Sequence, residues 1–415
     1  MNLPQFADMD LSILALSLVL LLIALRQVGG RSLAIWQIML LGALAVLFTG
    51  QISPQQALQA INLDVMIFLS AMFVIGRSMQ ESGYLLHLFN RLFGRARNSN
   101  QLVLLILFAM GFLSALLMND TLAIIGTPLM LYFSRELNIS AKMLLLSLAF
   151  AVTIGSAMSP IGNPQNLIIA VSSDLSNPFL VFLQHLMLPT LANLILAYLL
   201  LRLFYPGQFA NRPFQIRSAE VNDTALAQLS CSSFALLFVL IVAKMGSVAL
   251  GFGESIPLTY IAMISALPVL LFSRRRLEMV KGIDWSTLIF FAAMFVLMDA
   301  VWRGGTFQSL LAGSNADMAS VPNILAFSVV MSQLISNVPL VALYQPLLVQ
   351  PSTEALMALA AGSTIAGNLF ILGAASNVII IQNAEKSGET ITFMEFARVG
   401  VPLTAVNVLV YWICL

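Results

Sequence analysis

Four short stretches carry polar residues where the surrounding chain is apolar. They are Asn119-Asp120-Thr121, "IGNPQN" from Ile161 to Asn166, Ser336-Asn337-Val338, and "AGNLFILGAASN" from Ala366 to Asn377. Almost all their polar groups are neutral amides and hydroxyls. Pro160 and Pro164 remove amide donors and break a helix, while Gly155 and Gly162 tolerate unusual backbone angles. A helix broken inside a membrane frees carbonyls that suit a hard cation, and its half-helix N-terminus attracts an anion. The candidate ligands are Gly162, Asn163 and Asn166 in the first break, with Ser156, Ser159 and Gln165 beside them. In the second they are Asn368, Gly373, Ser376 and Asn377, with Gly367. Asn119, Asp120, Thr121, Ser336 and Asn337 form the facing wall. A plainer reading is that glycines and small polar residues pack transmembrane helices. Four polar interruptions in matching positions argue against it.

Asp120 is the acidic residue that falls at such an interruption. A carboxylate at membrane depth is a functional hypothesis by default: it can bind a cation or take up a proton. It can also cap a helix by accepting backbone amides. His185 is a lone histidine within a span and His87 lies in an amphipathic stretch, so neither suggests a metal. Cys231 and Cys414 read as small apolar side chains.

These residues need elements to hold them. The chain has 415 residues, of which 60% are hydrophobic and 9% charged. A soluble domain carries about 25% charged residues, so the sequence reads as an all-α polytopic membrane protein. Apolar spans fall near 11–26, 32–49, 65–78, 141–173 and 178–203. A second set falls near 231–251, 258–273, 286–301, 353–383 and 396–414. The stretches 101–134 and 322–349 are interrupted at their middles and read as re-entrant hairpins. With the N-terminus outside, 17 of the 19 basic residues fall inside, and only Lys244 and Arg303 outside. That bias sets orientation and puts both termini outside the cytoplasm.

The two sets are similar to each other. "INLDVMIFLSAMFVI" (61–75) aligns with "IDWSTLIFFAAMFVL" (283–297) at seven of fifteen positions. Asn119 then falls over Asn337, Gly162 over Gly373 and Asn166 over Asn377, in the same order. By the charge count the halves start on opposite sides. The expected fold is an inverted repeat of five spans plus one re-entrant hairpin each, about ten transmembrane helices and two hairpins. The first repeat covers 1–203, with hairpin 101–134 and broken helix 141–173. A cytoplasmic linker follows at 204–229. The second repeat covers 230–415, with hairpin 322–349 and broken helix 353–383. Segments 79–100 and 303–320 read as interfacial arms on opposite faces.

At its tips and breaks the sequence resembles the ion transporter superfamily. That group includes the divalent anion:sodium symporters, the citrate permeases, the ArsB-type arsenite permeases and the NhaD-type sodium/proton antiporters. The resemblance spans nearly the whole chain. It implies a homodimer with a scaffold and an elevator-like transport domain holding both hairpins. In the sodium–dicarboxylate branch each tip reads Ser-Asn-Thr and binds sodium and substrate. The matching positions here are Asn119 and Thr121, and Ser336 and Asn337. Met118 stands for the first serine, Asp120 intervenes before Thr121, and Val338-Pro339 replaces the second threonine. These tips look most like the arsenite-permease and antiporter branches.

The expectation is therefore a secondary transporter of a small anion, an oxyanion or carboxylate. It is coupled to sodium or protons and works by elevator-like alternating access. Sodium is expected at Asn119, Gly162, Ser336, Asn337 and Gly373, with no other cofactor. The expected setting is the lipid bilayer of a bacterial inner membrane, with no nucleic-acid partner. The alternatives are a sodium/proton antiporter exchanging at Asp120, an arsenite-type efflux permease, or a channel. A membrane enzyme is disfavoured, because no HExxH, GxSxG or P-loop pattern occurs.

Overall fold

The computed structural model describes residues 11–25, 27–28, 31–32, 34–209, 223–249, 256–306 and 318–415. Helices make up nearly all of it; Gln27–Val28 pairs antiparallel with Arg31–Ser32 in a minimal ladder. Among the described residues, six helices are long and apolar enough to cross a membrane. They are Leu63–Glu81, Ser99–Leu117, Pro178–Phe204, Thr224–Ser247, Trp285–Gly304 and Phe393–Cys414. Ile35–Phe48, Ala141–Ser156, Leu258–Phe272 and Val321–Ile335 are shorter apolar helices.

Local sequence explains many helix starts. Asn62, Asn98, Asn163, Asn177 and Asp284 each accept from the backbone amide three residues on, meeting donors that a helix N-terminus leaves open. In Asn163-Pro164 and Asn177-Pro178 the proline takes the first helical position, where it has no amide to lose. Pro164 thus begins a helix rather than only ending one. Thr392 and Glu395 form a reciprocal capping box at the start of Phe393–Cys414.

The helices fall into two sets by their contacts. Leu63–Glu81 packs with Thr224–Ala249 and Leu258–Phe272, while Leu11–Leu25 and Ile35–Phe48 pack with Trp285–Gly304. Each outer group thus mixes residues from both parts of the chain. Leu18, Leu21, Val239, Val242 and Phe272 are exposed on these helices, as expected for surfaces that face lipid or another subunit.

The inner set is built around Ala141–Ser156 and Thr353–Ile365. Every residue of the first is buried except Lys142, and of the second except Thr353 and Glu354. They hold 16 and 13 residues, roughly 24 and 20 Å at 1.5 Å per residue, which is short of a ~30 Å hydrocarbon layer. Each stops at a break and chain continues as Pro164–Ser172 or Ala375–Glu385. Each of the stretches 101–134 and 322–349 is a pair of helices joined at the polar interruption. Ser99–Leu117, interrupted by a π turn at Ile106–Met110, returns through Asn119–Leu137. Val321–Ile335 returns through Asn337–Tyr344.

Two sequence readings shift at their edges. The linker assigned to 204–229 ends earlier, because helix begins at Thr224; residues 210–222 lie outside the described set. Within 79–100, Tyr84–Phe93 is a two-faced helix, with Leu85, Phe89 and Phe93 buried and Arg91 exposed. Most of its counterpart at 303–320 lies outside the described residues.

The first hairpin is pressed closely onto Ala141–Ser156. A Cβ at Gly155 would lie 2.1 Å from the Gly111 carbonyl oxygen, and Ser114 Oγ donates to the Val152 carbonyl at 2.6 Å. Backbone meets backbone there, so no side chain can yield. Gly155→Ala is expected to cost about 1–3 kcal/mol, read as a lowered thermal midpoint of the purified protein. Gly246→Ala, where a Cβ meets nothing within 4 Å, should hold or raise it.

Candidate functional site

The two hairpin tips share an unusual turn. Met118 has φ 68° and ψ 142°, and Ser336 has φ 69° and ψ 159°. That region is essentially reserved for glycine, and strain of this kind collects at functional sites. Each strained residue is followed by an asparagine that opens a helix. Asn119 and Asn337 are each 7% exposed, and the side-chain oxygen of each has no hydrogen-bond partner.

The first tip is joined to the first break: the Asn119 amide donates to the Gly162 carbonyl at 3.0 Å. A Cβ at Gly162 would lie 2.3 Å from the Ser156 carbonyl oxygen, so only glycine allows this fold-back. Asp120 stands in the first turn of Asn119–Leu137, where a negative charge complements the helix dipole. Thr121 faces elsewhere. A Cβ on Gly76 of Leu63–Glu81 would lie 3.0 Å from its methyl group, so Thr121 packs on the outer set.

Asn163 and Asn166 close the first break. The Asn166 side-chain amide donates to the carbonyls of Ser156, Ala157 and Ser159 at 3.0–3.2 Å. Asn163 Nδ2 donates to Ser156 Oγ and to Thr364 Oγ1, both at 3.0 Å, and Asn163 Oδ1 accepts from the Asn166 amide. Thr364 also reaches Asn166 Oδ1 at 3.4 Å. The carbonyls expected to be free for a cation are therefore met by the protein's own donors. Thr364 belongs to the helix leading into the other break, so the second half helps to seal the first.

The second break is built differently. Asn377 Nδ2 donates to the Gly367 carbonyl at 2.6 Å, and Asn368 Nδ2 to Asn407 Oδ1 at 3.0 Å. A Cβ at Gly373 would lie 2.7 Å from the Ala366 carbonyl and 2.8 Å from Gln333 Oε1. Gln333, on the first arm of the second hairpin, donates to that Ala366 carbonyl at 2.8 Å. Here many oxygens are left over: Oγ1 of Thr153, Oε1 of Gln333, Oδ1 of Asn368, Oγ of Ser376 and Oδ1 of Asn377 are buried without partners. Thr153 adjoins Gly367 as Thr364 adjoins Asn163. Ala374 and Gly367 stand where the first break has Asn163 and Ser156, so Thr153 lacks the donor that Thr364 enjoys.

Sequence reasoning did not name Thr153, Gln333, Thr364 or Asn407. The register that sets Asn166 over Asn377 also sets Thr153 over Thr364, so that pair was within reach. Gln333 and Asn407 carried no signal among ordinary helix residues. Among the described residues no hydrogen bond joins the two tips directly. The arms cross over: Asn119–Leu137 packs along Ala375–Glu385, and Asn337–Tyr344 along Pro164–Ser172. A cavity of about 780 Å³ opens beside them, between Phe295, Asp299 and Trp302 on one side and Ile168, Asp174 and Gln345 on the other.

Comparisons with known proteins give the class of the chain. The citrate transporter family matches residues 18–355, and the chain belongs to that family. It is 30% identical over 370 residues to an uncharacterized transporter of Mycobacterium tuberculosis, covering 84% of each chain. It is 28% identical over 435 residues to the silicon efflux transporter of Oryza sativa, covering 88% of this chain and 89% of that one. Its fold is similar to the crystal structure of the Alcanivorax borkumensis YdaH transporter, with a TM-score of 0.55 and 15% identity over 97% of this chain and 96% of that one. The chain is an integral membrane transporter, not an enzyme.

Asn166 is the residue on which the first break most depends. Asn166→Leu removes the two N–H groups shared by three buried carbonyls, at about 1–3 kcal/mol for each donor lost. The expected result is a thermal midpoint several degrees lower, whatever ions are present. Asn119→Ala, which removes a side chain whose oxygen has no partner and keeps the backbone contact to Gly162, should lower it far less.

Proposed function

We propose that the chain is a secondary active transporter that moves a small anion, an oxyanion or carboxylate, in exchange for or together with sodium or protons. The observation that carries this reading is the pair of strained tips, each presenting a buried Asn oxygen with no partner. Strain and unmet polarity are both costly, and a ligand that meets the polarity offsets them. With Gln333, Thr153, Ser376 and Asn377, the second tip and break offer neutral oxygens alone. Such a set suits a monovalent cation, and sodium there supplies the positive charge an anion needs. The ligands we assign to sodium are chiefly Asn337 and the Gly373 region, with Asn119, Gly162 and Ser336 completing the tips.

The recurrence of one turn at Met118 and Ser336, and the crossed packing of arms and breaks, support an inverted repeat. On that reading both hairpins and both broken helices move as one unit against the outer helices. Thr121 on Gly76 is then a sliding contact, and the 780 Å³ cavity is space into which the unit travels. A homodimer, a bacterial inner-membrane location and external termini belong to the same proposal.

A second reading is favoured by the same oxygens. Amide oxygens that accept and hydroxyls that both accept and donate suit a ligand rich in O–H groups, such as a neutral hydroxylated acid of arsenic or silicon. That would make the chain an efflux permease, with Asp120 exchanging protons or sodium.

The test is charge movement in proteoliposomes under rapid solution exchange. Citrate, succinate, sulfate, phosphate, arsenite and silicic acid are offered with and without sodium and at two pH values. An anion-dependent current that needs sodium or a proton gradient is expected. Asn337→Ala should raise the sodium concentration for half-maximal current about tenfold, equivalent to ~1.4 kcal/mol. Sodium-evoked lumenal pH change without any anion response would instead make it an antiporter. An Asn337→Ala protein with unaltered ion dependence would show the site to be misplaced.

A further inference from the structure

One more group of polar side chains lies deep in the bundle. Thr190 and Asn193 sit on Pro178–Phe204, and Thr404, Asn407 and Tyr411 on Phe393–Cys414; all are 0–1% exposed. The two helices pack antiparallel. Thr190 Oγ1 and the Tyr411 hydroxyl are 2.8 Å apart toward one end, and the Arg398 guanidinium lies 5.3 Å over the Phe204 ring toward the other. One turn along from that first contact, Asn193 is level with Asn407, and Thr404 shares the Asn407 face. Asn193 is close enough to act on the Tyr411 hydroxyl, yet neither of its amide atoms has a hydrogen bond of normal geometry.

Five polar atoms here make no hydrogen bond of normal geometry: Nδ2 and Oδ1 of Asn193, Nδ2 of Asn407, Oγ1 of Thr404 and, shared with the second break, Oδ1 of Asn368. They differ in kind from those at the second tip, which are all oxygens. Here amide donors are mixed with acceptors. A bare cation cannot satisfy an amide N–H, and an anion cannot satisfy an amide oxygen. Water does both, and a buried water typically makes about three hydrogen bonds to groups of this sort.

We propose that Asn193, Thr404, Asn407 and Asn368 bind ordered water, forming a hydration site behind the second break. Asn407 holds Asn368 at 3.0 Å, and Asn368 ends the turn whose Ala366 and Gly367 carbonyls accept from Gln333 and Asn377. The helix is close against this turn because residue 400 is glycine; a Cβ there would lie 2.2 Å from the Asn368 carbonyl oxygen. The water therefore sits one side chain from the oxygens of the second break, and gives that turn hydrogen-bond partners that the protein does not supply. This holds whatever the transporter carries.

X-ray footprinting tests it, since radiolysis of bound water makes hydroxyl radicals in place and mass spectrometry finds the residues they oxidise. In the purified full-length protein Tyr411 should be oxidised although it is 0% exposed. Phe150, equally buried but packed on Phe396, should not be. Thr404→Val and Asn193→Leu should each lower Tyr411 oxidation at least threefold, and Thr404→Val alone suffices if the other does not fold. An unmodified Tyr411 in the unaltered protein, or a rate that neither variant changes, would overturn the proposal.

Discussion

Backbone carbonyls freed inside a membrane must find donors there, and the whole inner bundle is arranged around that need. At the first break one asparagine side chain, Asn166, meets three of them. Asn163 and Thr364 then lock that asparagine in place. Since Thr364 comes from the helix that leads to the second break, neither half of the inner bundle is complete without the other. The burial of Ala141–Ser156 and Thr353–Ile365 follows from the same need. A helix that ends at membrane depth cannot face lipid at its end, so it lies at the centre of the bundle.

The two breaks use one plan with different side chains, and the difference leaves them unequally satisfied. Where the first has Ser156 and Asn163, the second has Gly367 and Ala374. Two donors are thereby lost, and Thr153, Gln333, Ser376 and Asn377 keep unmatched oxygens. One break is sealed by the protein itself. The other retains unsatisfied acceptors beside a strained tip, which is the condition for a ligand to change the stability of the site. On the proposed reading, a cation bound there couples to the substrate because each favours the same closed geometry.

Much of this was legible in the sequence, for definite reasons. Span lengths and the polar interruptions reveal helices, hairpins and breaks, because the bilayer leaves so few ways to satisfy a backbone. Asn-Pro at 163–164 and 177–178 marks helix starts to the residue. Roles within the site were less legible. Asn163 and Asn166 look like ligands by type, yet their amides are spent on the protein. Thr121 looks like part of a tip and instead meets Gly76. Gln333 and Asn407 matter because of what crosses them in space, and no local pattern encodes such a crossing.

Cation-linked stability tests the central claim most directly, because anything bound only to the folded protein stabilises it. The thermal midpoint of the purified transporter would be followed against sodium chloride, with choline chloride at equal ionic strength as the reference. The account predicts a sodium-specific rise that grows with the logarithm of sodium concentration above the dissociation constant, reaching ~2.7 kcal/mol at a hundredfold excess. It should be abolished by Asn377→Leu at the second break and retained in Ser156→Ala at the first. A midpoint indifferent to sodium, or a rise lost through the first break and kept through the second, would contradict it.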